Sequence, residues 1–193
     1  MYLKLFNEKP IKDLFADSYV NIENRIKASN ISFFNIRQIY DEFQLNMPKL
    51  CLDKANSELN LEDRNGKVYQ ENSSGRYDGL DVYVTAAITI PISGDENYFG
   101  LRPSLNHSQV GYHVQLNSGK LEFKIRVNSL ILNFNEHSSY IEKEANNFFD
   151  FIKNNLANLD NDFLDFNESI IPLITKLLEE KKLILENKRT TRY

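Results

Sequence analysis

The last part of the chain carries a helical pattern that no glycine interrupts, and this feature constrains the fold most. Between Glu136 and Lys188 the apolar residues recur at steps of three and four, which is the spacing of one face of an amphipathic helix. The polar stretch from Asn158 to Asn161 separates two such patterns, and Pro172 lies within the second. We therefore predict two long antiparallel helices with a short connection, the second one kinked or split at the proline.

Two further helices are predicted near the N-terminus. Pro10 suits the first turn of a helix, where its missing N–H is no loss, and the apolar pattern continues from there to Ala28. A second, shorter helix is predicted to end near Phe43, with Asn30 or Ser32 as its N-cap.

The segment that follows is polar and predicts a loop. From Asn56 to Gly79 the chain contains several glycine and serine turn signals and few apolar residues. A loop is the structure that such a composition favours, with a short strand at Val68 and Tyr69 as its only regular part.

The centre of the chain has the composition of an antiparallel sheet. Leu80 to Ile92 is rich in β-branched and aromatic residues, which favours a strand, and Pro91 indicates an edge position or a bulge because proline cannot donate to the ladder. Val110 to Leu116 and Leu121 to Val127 are predicted to form a hairpin around a short turn that contains glycine. Apolar and charged residues alternate in its second arm, which is typical of a strand with one solvated face.

These elements predict an α+β fold. It consists of N-terminal helices, a mostly antiparallel central sheet and two long antiparallel C-terminal helices. Residues 1–135 form the α+β domain, and residues 136–193 form a helical pair with a basic tail, either in the same domain or as an appendage of it. A homodimer through the C-terminal helices is an alternative arrangement of the same elements.

Charge and composition exclude some classes of function. The net charge of −4 opposes direct nucleic-acid binding, because phosphate neutralisation needs clustered Lys and Arg, and only the tail with Lys188, Arg189 and Arg192 is locally basic. The single cysteine, Cys51, excludes an intrachain disulfide framework, and its leucine neighbours predict a buried, inert thiol. The sequence lacks a signal-peptide pattern and any apolar run near the ~20 residues of a membrane span. We expect a cytoplasmic protein that does not associate with membranes.

The three histidines do not predict a metal site. His107, His113 and His137 are separated by six and twenty-four residues, whereas zinc ligands usually include a close pair. We therefore expect no metal and no cofactor, and we interpret His113, on a predicted strand, as a half-buried structural imidazole.

A catalytic alternative depends on Glu122 and Lys124. Strand alternation places both side chains on one face, and many metal-dependent nucleases use a Glu-x-Lys pair with an upstream Asp to hold Mg²⁺ and to place a lysine. Asp95, Asp81 or Asp78 could supply that upstream carboxylate. The same charged residues also suit a strand face that is simply solvated, so the residues alone leave both interpretations open.

Two segments of the chain resemble a known kind of module. The run from Ile90 to Ser104, followed by a hairpin and then by Asp162 to Ile170, is similar to an N-terminal module of bacterial multidomain proteins, many of them associated with antiviral defence. In those proteins the module precedes a PD-(D/E)xK-type nuclease or a TIR domain. The similarity spans residues 80–185, carries over no catalytic residue, and implies a non-catalytic part.

The resemblance therefore implies a protein-interaction or sensing module. Its partner would be another protein or a covalently continuing effector domain. The loop from Ser93 to Ser104 is the candidate contact surface, because Tyr98, Phe99 and Arg102 supply the aromatic and guanidinium groups that are enriched at interfaces. Packing beneath the sheet is the alternative for the two aromatic residues.

Overall fold

An antiparallel sheet packed against a long helix forms the α+β fold of this protein. The computed structural model describes residues 2–28, 35–62, 83–105, 112–128 and 134–190. Several sequence predictions therefore lie outside the described residues: Asn30, Ser32, the strand at Val68 and Tyr69, Asp78, Asp81, His107 and Arg192. In chain order the elements are β1 (Tyr2–Lys4), β2 (Lys9–Pro10), α1 (Ile11–Ala28), α2 (Ile36–Phe43), β3 (Lys49–Leu50), a first 3₁₀ helix (Leu52–Lys54), β4 (Asn56–Glu62), β5 (Tyr83–Ser93), a second 3₁₀ helix (Glu96–Gly100), β6 (Leu101–Arg102), β7 (His113–Asn117), β8 (Lys120–Asn128) and α3 (Phe134–Thr190).

The N-terminal helix α1 forms within the predicted span and packs on α3, but it begins at Ile11, and Pro10 belongs to β2 rather than to its first turn. The Phe15 ring stacks on Phe166 with centroids 4.7 Å apart, and the Tyr19 hydroxyl lies 2.7 Å from the Ser169 hydroxyl. At the end of α1 the Lys181 ammonium donates to the carbonyl oxygens of the last turn. This contact satisfies carbonyls that have no partner within the helix.

The short helix α2 begins at a capping box. The Asn35 side chain accepts a hydrogen bond from the backbone N–H of Arg37 at 3.1 Å, and Gln38 accepts one from the backbone N–H of Asn35 at 3.3 Å. Asn35 is therefore the N-cap, and the prediction of Asn30 or Ser32 is wrong. The box satisfies N–H groups of the first turn that would otherwise lack partners.

The main sheet has the order β1-β7-β8-β5, and β3 and β4 both pair with the far side of β5. All of these pairs are antiparallel, as predicted, whereas β2 and β6 form a separate short parallel pair. The predicted hairpin is β7–β8, and its two-residue turn has positive φ at Ser118 (46°) and Gly119 (76°). Positive φ at both positions belongs to the type I′ turn, whose twist matches the twist of the strands.

Strand β5 lies inside the sheet, so the predicted edge position of Pro91 is wrong. Pro91 pairs with Lys120 on one side, and on the other side its carbonyl accepts from the Cys51 N–H at 2.9 Å. On that second side Asn56, the first residue of β4, pairs with Thr89, and Leu50, the last residue of β3, pairs with Ile92. The proline thus occupies the gap between two partner strands, where a missing N–H leaves no ladder bond unmade.

The segment from Asn56 to Glu62 is a strand, β4, and the predicted loop is wrong there. All seven residues pair with β5, from Asn56 opposite Thr89 to Glu62 opposite Tyr83. Most of them are exposed, including Leu59, so neither face carries the apolar pattern that predicts a strand. The pairing with β5 decides the structure of this segment, and its own composition does not.

The C-terminal part is one continuous helix, α3, of 57 residues, and the predicted pair of helices is wrong. Leu159, within the predicted connection, is completely buried, so the apolar face continues through that segment. Pro172 is exposed, and the carbonyl that loses its N–H partner there can bond to water. The helix therefore continues through both signals that predicted a break.

The core lies between the inner face of the sheet and α3, with α1 and α2 against the later part of α3. The Phe123 ring of β8 stacks on Phe148 of α3 with centroids 3.9 Å apart. The sheet contributes the buried residues Ile88, Ile90, Val114, Leu116, Leu121, Phe123, Ile125 and Val127, and α3 contributes Phe148, Ile152, Leu159, Phe163, Phe166, Ile170, Ile174 and Leu178.

Candidate interaction groove

The loop after β5 is ordered by a local cap. The Asp95 carboxylate accepts hydrogen bonds from the backbone N–H of Asn97 at 3.0 Å and from its side-chain amide at 2.9 Å. This cap starts the second 3₁₀ helix, which turns Phe99 into the core, where it is fully buried. Phe99 is therefore not available for direct contact with a partner in this conformation, in agreement with the packing alternative.

Tyr98, one residue earlier, forms part of the surface. It is half-buried, and its ring meets the Phe163 ring edge-on with centroids 5.1 Å apart. Burial, together with the nearby charge of Asp95, raises the pKa of the Tyr98 hydroxyl above 10.0. Tyr98 is therefore neutral at physiological pH, and its hydroxyl lies in a partly apolar environment.

Tyr98 lines a groove between α1 and the second 3₁₀ helix, which we call the acidic groove. Its volume is about 480 Å³, and its lining residues are Leu3, Glu8, Lys9, Asp13, Leu14, Asp17, Asn97, Tyr98, Gly100 and Leu101. Leucines supply the apolar part of this lining, and the exposed charged residues comprise three carboxylates and one ammonium group. The groove therefore has an apolar lining and a net negative charge.

Two features of the backbone build one wall of this groove. Phe6 has a positive φ of 53° and is fully buried, and the turn around it is held by hydrogen bonds from the Phe6 N–H to the Phe99 carbonyl and from the Glu8 N–H to the Gly100 carbonyl. A Cβ atom on Gly100 would lie 3.1 Å from a Glu8 carboxylate oxygen and 3.0 Å from Leu3. Glycine at this position allows Glu8 to approach the loop closely.

The sequence interpretation missed the carboxylates of the groove. Asp13 and Asp17 lie four residues apart on α1, so they share one face of the helix, and this spacing could have identified them. Glu8 has no comparable signal, because its position depends on the turn at Phe6 and on the close contact with Gly100.

Arg102, the third candidate contact residue, lies outside the lining of the groove. It is exposed on β6, opposite Pro10. Just after it, the Ser104 N–H donates to the Asp162 carboxylate at 2.9 Å, and the Asn158 side-chain amide donates to the Leu105 carbonyl at 3.3 Å. The loop is therefore fixed to α3.

Glu122 and Lys124 lie together on the outer face of the sheet. The Lys124 ammonium is 3.5 Å from the Glu122 carboxylate. Asp95 lies beyond the end of β5 and uses its carboxylate for the cap on Asn97. The buried Glu62 lies on the same face and accepts a hydrogen bond from the Thr85 hydroxyl at 3.1 Å. Glu62 pairs with Tyr83 of β5, whereas Glu122 pairs with Thr89. Six residues of strand therefore separate the two carboxylates, which is roughly 20 Å.

The described residues show no group of three or more His, Cys, Asp or Glu that could hold a metal ion. Of the described histidines, His113 is exposed rather than half-buried, and His137 is buried. Cys51 is half-buried rather than fully buried. The structure therefore brings together Glu122 and Lys124, and within its described part they belong to no group of three or more potential metal ligands.

Comparisons with protein families, curated proteins and solved structures give no match for this chain. Within the described ranges, no helix is both long enough and apolar enough to cross a membrane. The acidic groove, which contains one of the three predicted contact residues, is the basis for a proposed function.

Proposed function

We propose that this protein is a non-catalytic protein-interaction module whose acidic groove binds a basic segment of a partner protein. The observation that carries the proposal is the groove itself, in which the carboxylates of Glu8, Asp13 and Asp17 accompany leucines and the half-buried Tyr98. An apolar centre with a charged rim is the usual anatomy of a protein interface.

A lysine or arginine side chain has the chemistry that complements this groove. Its aliphatic stem can pack on Leu14 and on the Tyr98 ring while its charged head remains at the rim. An arginine can also contact a carboxylate through two parallel hydrogen bonds, and Asp13 and Asp17, one helical turn apart, are both exposed for such contacts. The net charge of −4 attracts a basic partner, and the same negative charge repels nucleic acid.

The biological setting that we propose is a bacterial defence or nuclease-type system. It is supported by the resemblance of residues 80–185 to the modules that precede effector domains. In the structure the two segments that carry this resemblance contact each other, through Tyr98 on Phe163 and through Ser104 on Asp162. Their similarity therefore concerns one contiguous region of the protein.

A labelled basic peptide tests the groove directly. We expect a fluorescein-labelled peptide of alternating arginine and glycine to bind saturably, as measured by fluorescence anisotropy. The double variant Asp13→Asn/Asp17→Asn should weaken binding roughly tenfold, because it removes two charge-assisted contacts.

The matched control is Asp150→Asn/Asp160→Asn, which changes the net charge equally at exposed positions of α3. We expect this variant to bind as the wild-type protein does. Equal weakening by both double variants would show that the peptide senses only the net charge, and the proposal for the groove would be wrong.

A second candidate function is a metal-dependent nuclease subunit of the PD-(D/E)xK kind that uses Glu122 and Lys124 with Mg²⁺. The observation in its favour is that these two side chains lie 3.5 Å apart on one face of β8. Its test is Mg²⁺-dependent cleavage of DNA by the purified protein and by the variants Lys124→Ala and Lys120→Ala. Cleavage that is lost in the first variant and kept in the second would establish an enzyme and overturn the non-catalytic proposal.

A further inference from the structure

A second cavity lies between the sheet and the beginning of α3, and we call it the β4–α3 cavity. Its volume is about 450 Å³, and it shares no described lining residue with the acidic groove. Leu59, Ala86 and Ile88 from the sheet line it together with Ile141, Ala145 and Phe149 from α3. Alanine at positions 86 and 145 leaves room that larger side chains would fill.

The size and lining of this cavity suit a small molecule. Binding sites for small ligands typically have volumes of roughly 300–1,000 Å³, with mainly apolar walls and few polar groups. One of the walls is the edge strand β4, which among the described strands pairs only with β5. Its residue Leu59 lines the cavity and is 68% exposed, so an apolar ligand would bury a leucine that now faces solvent.

His137 supplies the buried polar group of the cavity, whose other polar lining residues are exposed: Asn56, Ser57, Ser138 and Glu142. His137 is part of the wall and is more than nine-tenths buried, with 6% of its surface exposed, and its Nε2 atom has no hydrogen-bond partner among the described residues. A buried polar atom without a partner is unfavourable for folding. A position of this kind is a candidate for hydrogen bonding to a ligand, because the ligand supplies the missing partner.

The proposed contact requires the imidazole of His137 to turn toward the cavity. The Nε2 atom is inaccessible to solvent in this conformation, but the χ2 torsion of histidine has a broad energy minimum. A rotation about χ2 is the movement that a hydrogen bond from a ring nitrogen to a ligand in the cavity requires.

We propose that the β4–α3 cavity binds a small, uncharged and mostly apolar molecule that makes one hydrogen bond to His137. A charged body would lose its hydration against the apolar walls, and Glu142, the one carboxylate among the described lining residues, is exposed. This carboxylate disfavours an anion at the mouth of the cavity. The alanine, isoleucine and phenylalanine side chains of the walls cannot form hydrogen bonds with a polar ligand. Such a ligand would make the protein a sensor as well as an interaction module.

Two probes with the same body but different charge test this specificity. N-phenyl-1-naphthylamine is uncharged and has a single N–H group, and 1-anilinonaphthalene-8-sulfonate is a close analogue that carries a sulfonate. Both dyes become fluorescent in apolar surroundings. We expect saturable binding of the uncharged dye at about one molecule per chain, and binding of the sulfonate at least roughly fivefold weaker, since a charge beside Glu142 is repelled.

Variants of α3 locate the bound dye. Ala145→Phe should weaken binding at least roughly tenfold because the ring fills the cavity, whereas Ala157→Phe, at an exposed position of the same helix outside the lining, should have no effect. Ser138→Phe repeats the test at an exposed lining position, in case Ala145→Phe does not fold. His137→Leu keeps the wall apolar and should weaken binding roughly fivefold through the lost hydrogen bond.

Three results would overturn the proposal: no saturable binding of the uncharged dye, equal binding of the sulfonate, or unchanged affinity in both cavity-filling variants. Unchanged affinity in His137→Leu would remove the role of the imidazole. The acidic groove is tested with a peptide and with variants at other residues, so failure of one proposal is distinguishable from failure of the other.

Discussion

The imidazole of His137 is buried in an unfavourable environment. It is 6% exposed, and its Nε2 atom has no partner among the described residues. We therefore predict that His137→Leu raises the free energy of unfolding by about 1 kcal/mol, because it removes a buried unsatisfied polar atom while the side chain stays apolar. Urea denaturation measures this change, and Ile152→Ala, at a fully buried position of the same helix, should instead lower the free energy by about 2–5 kcal/mol.

A clear loss of stability in His137→Leu would show that the imidazole is structural. In that case it would hold the N-terminal part of α3 against the sheet, and the proposed ligand contact would lose its basis.

Tyr98 should make stability depend on pH in the alkaline range. Burial and the charge of Asp95 raise its pKa above 10.0, so the folded protein holds this proton more tightly than the unfolded chain does. The resulting contribution to stability is complete below pH 10 and is lost as the pH rises through the raised pKa. Tyr98→Phe should therefore lose less stability than the wild-type protein as the pH rises above 10.

Chemical denaturation at several pH values measures this effect. Tyr112→Phe should act in the same direction, because burial and the charge of Glu144 raise the pKa of Tyr112. An alkaline loss of stability in Tyr98→Phe as large as in the wild-type protein would contradict the prediction.

At the level of elements, the sequence predicted those strands and helices whose own residues carry a periodic pattern. In β8 the buried residues Leu121, Phe123, Ile125 and Val127 alternate with charged ones, and α1 has the spacing of a helix, so both were predicted correctly. Strand β4 is polar and depends on its seven pairs with β5, a contact between segments that no local pattern reports. The acidic groove was missed for the same reason, since it joins α1 to a loop about 80 residues later in the chain.

The continuous helix α3 contains a proline that should lower its stability. Pro172 lies within the helix at an exposed position, where the ring removes one backbone hydrogen bond and crowds the preceding turn. We predict that Pro172→Ala raises the free energy of unfolding by about 1–3 kcal/mol. The comparison is Ala157→Pro, also exposed in α3, which should lower it by a similar amount.

Thermal denaturation followed by circular dichroism measures both variants. Destabilisation by Pro172→Ala would contradict the prediction and would show that the proline contributes to the packing of α3 on α1 and α2.

At the level of the whole molecule, large apolar side chains are exposed near the end of α3. Leu183 and Ile184 are 59% and 53% exposed there, and a homodimer through this end of the helix stays a prediction. Multi-angle light scattering over a range of concentrations tests this prediction. A wild-type dimer that becomes a monomer in the double variant Leu183→Lys/Ile184→Lys would support it. A wild-type protein that is monomeric at every concentration would contradict it.

The sheet and the helices share one core, so they should unfold together. Phe166 of α3 stacks on Phe15 and meets the ring of Tyr19, while Phe148 of the same helix stacks on Phe123 of the sheet. Phe166→Ala should lower the free energy of unfolding by about 3–5 kcal/mol through the cavity that it leaves. Because α3 connects both regions, the loss should appear equally in circular dichroism at helical wavelengths and in amide hydrogen exchange of β8. Separate transitions for helix and sheet would show instead that α1, α2 and the later part of α3 form a unit that unfolds without the sheet.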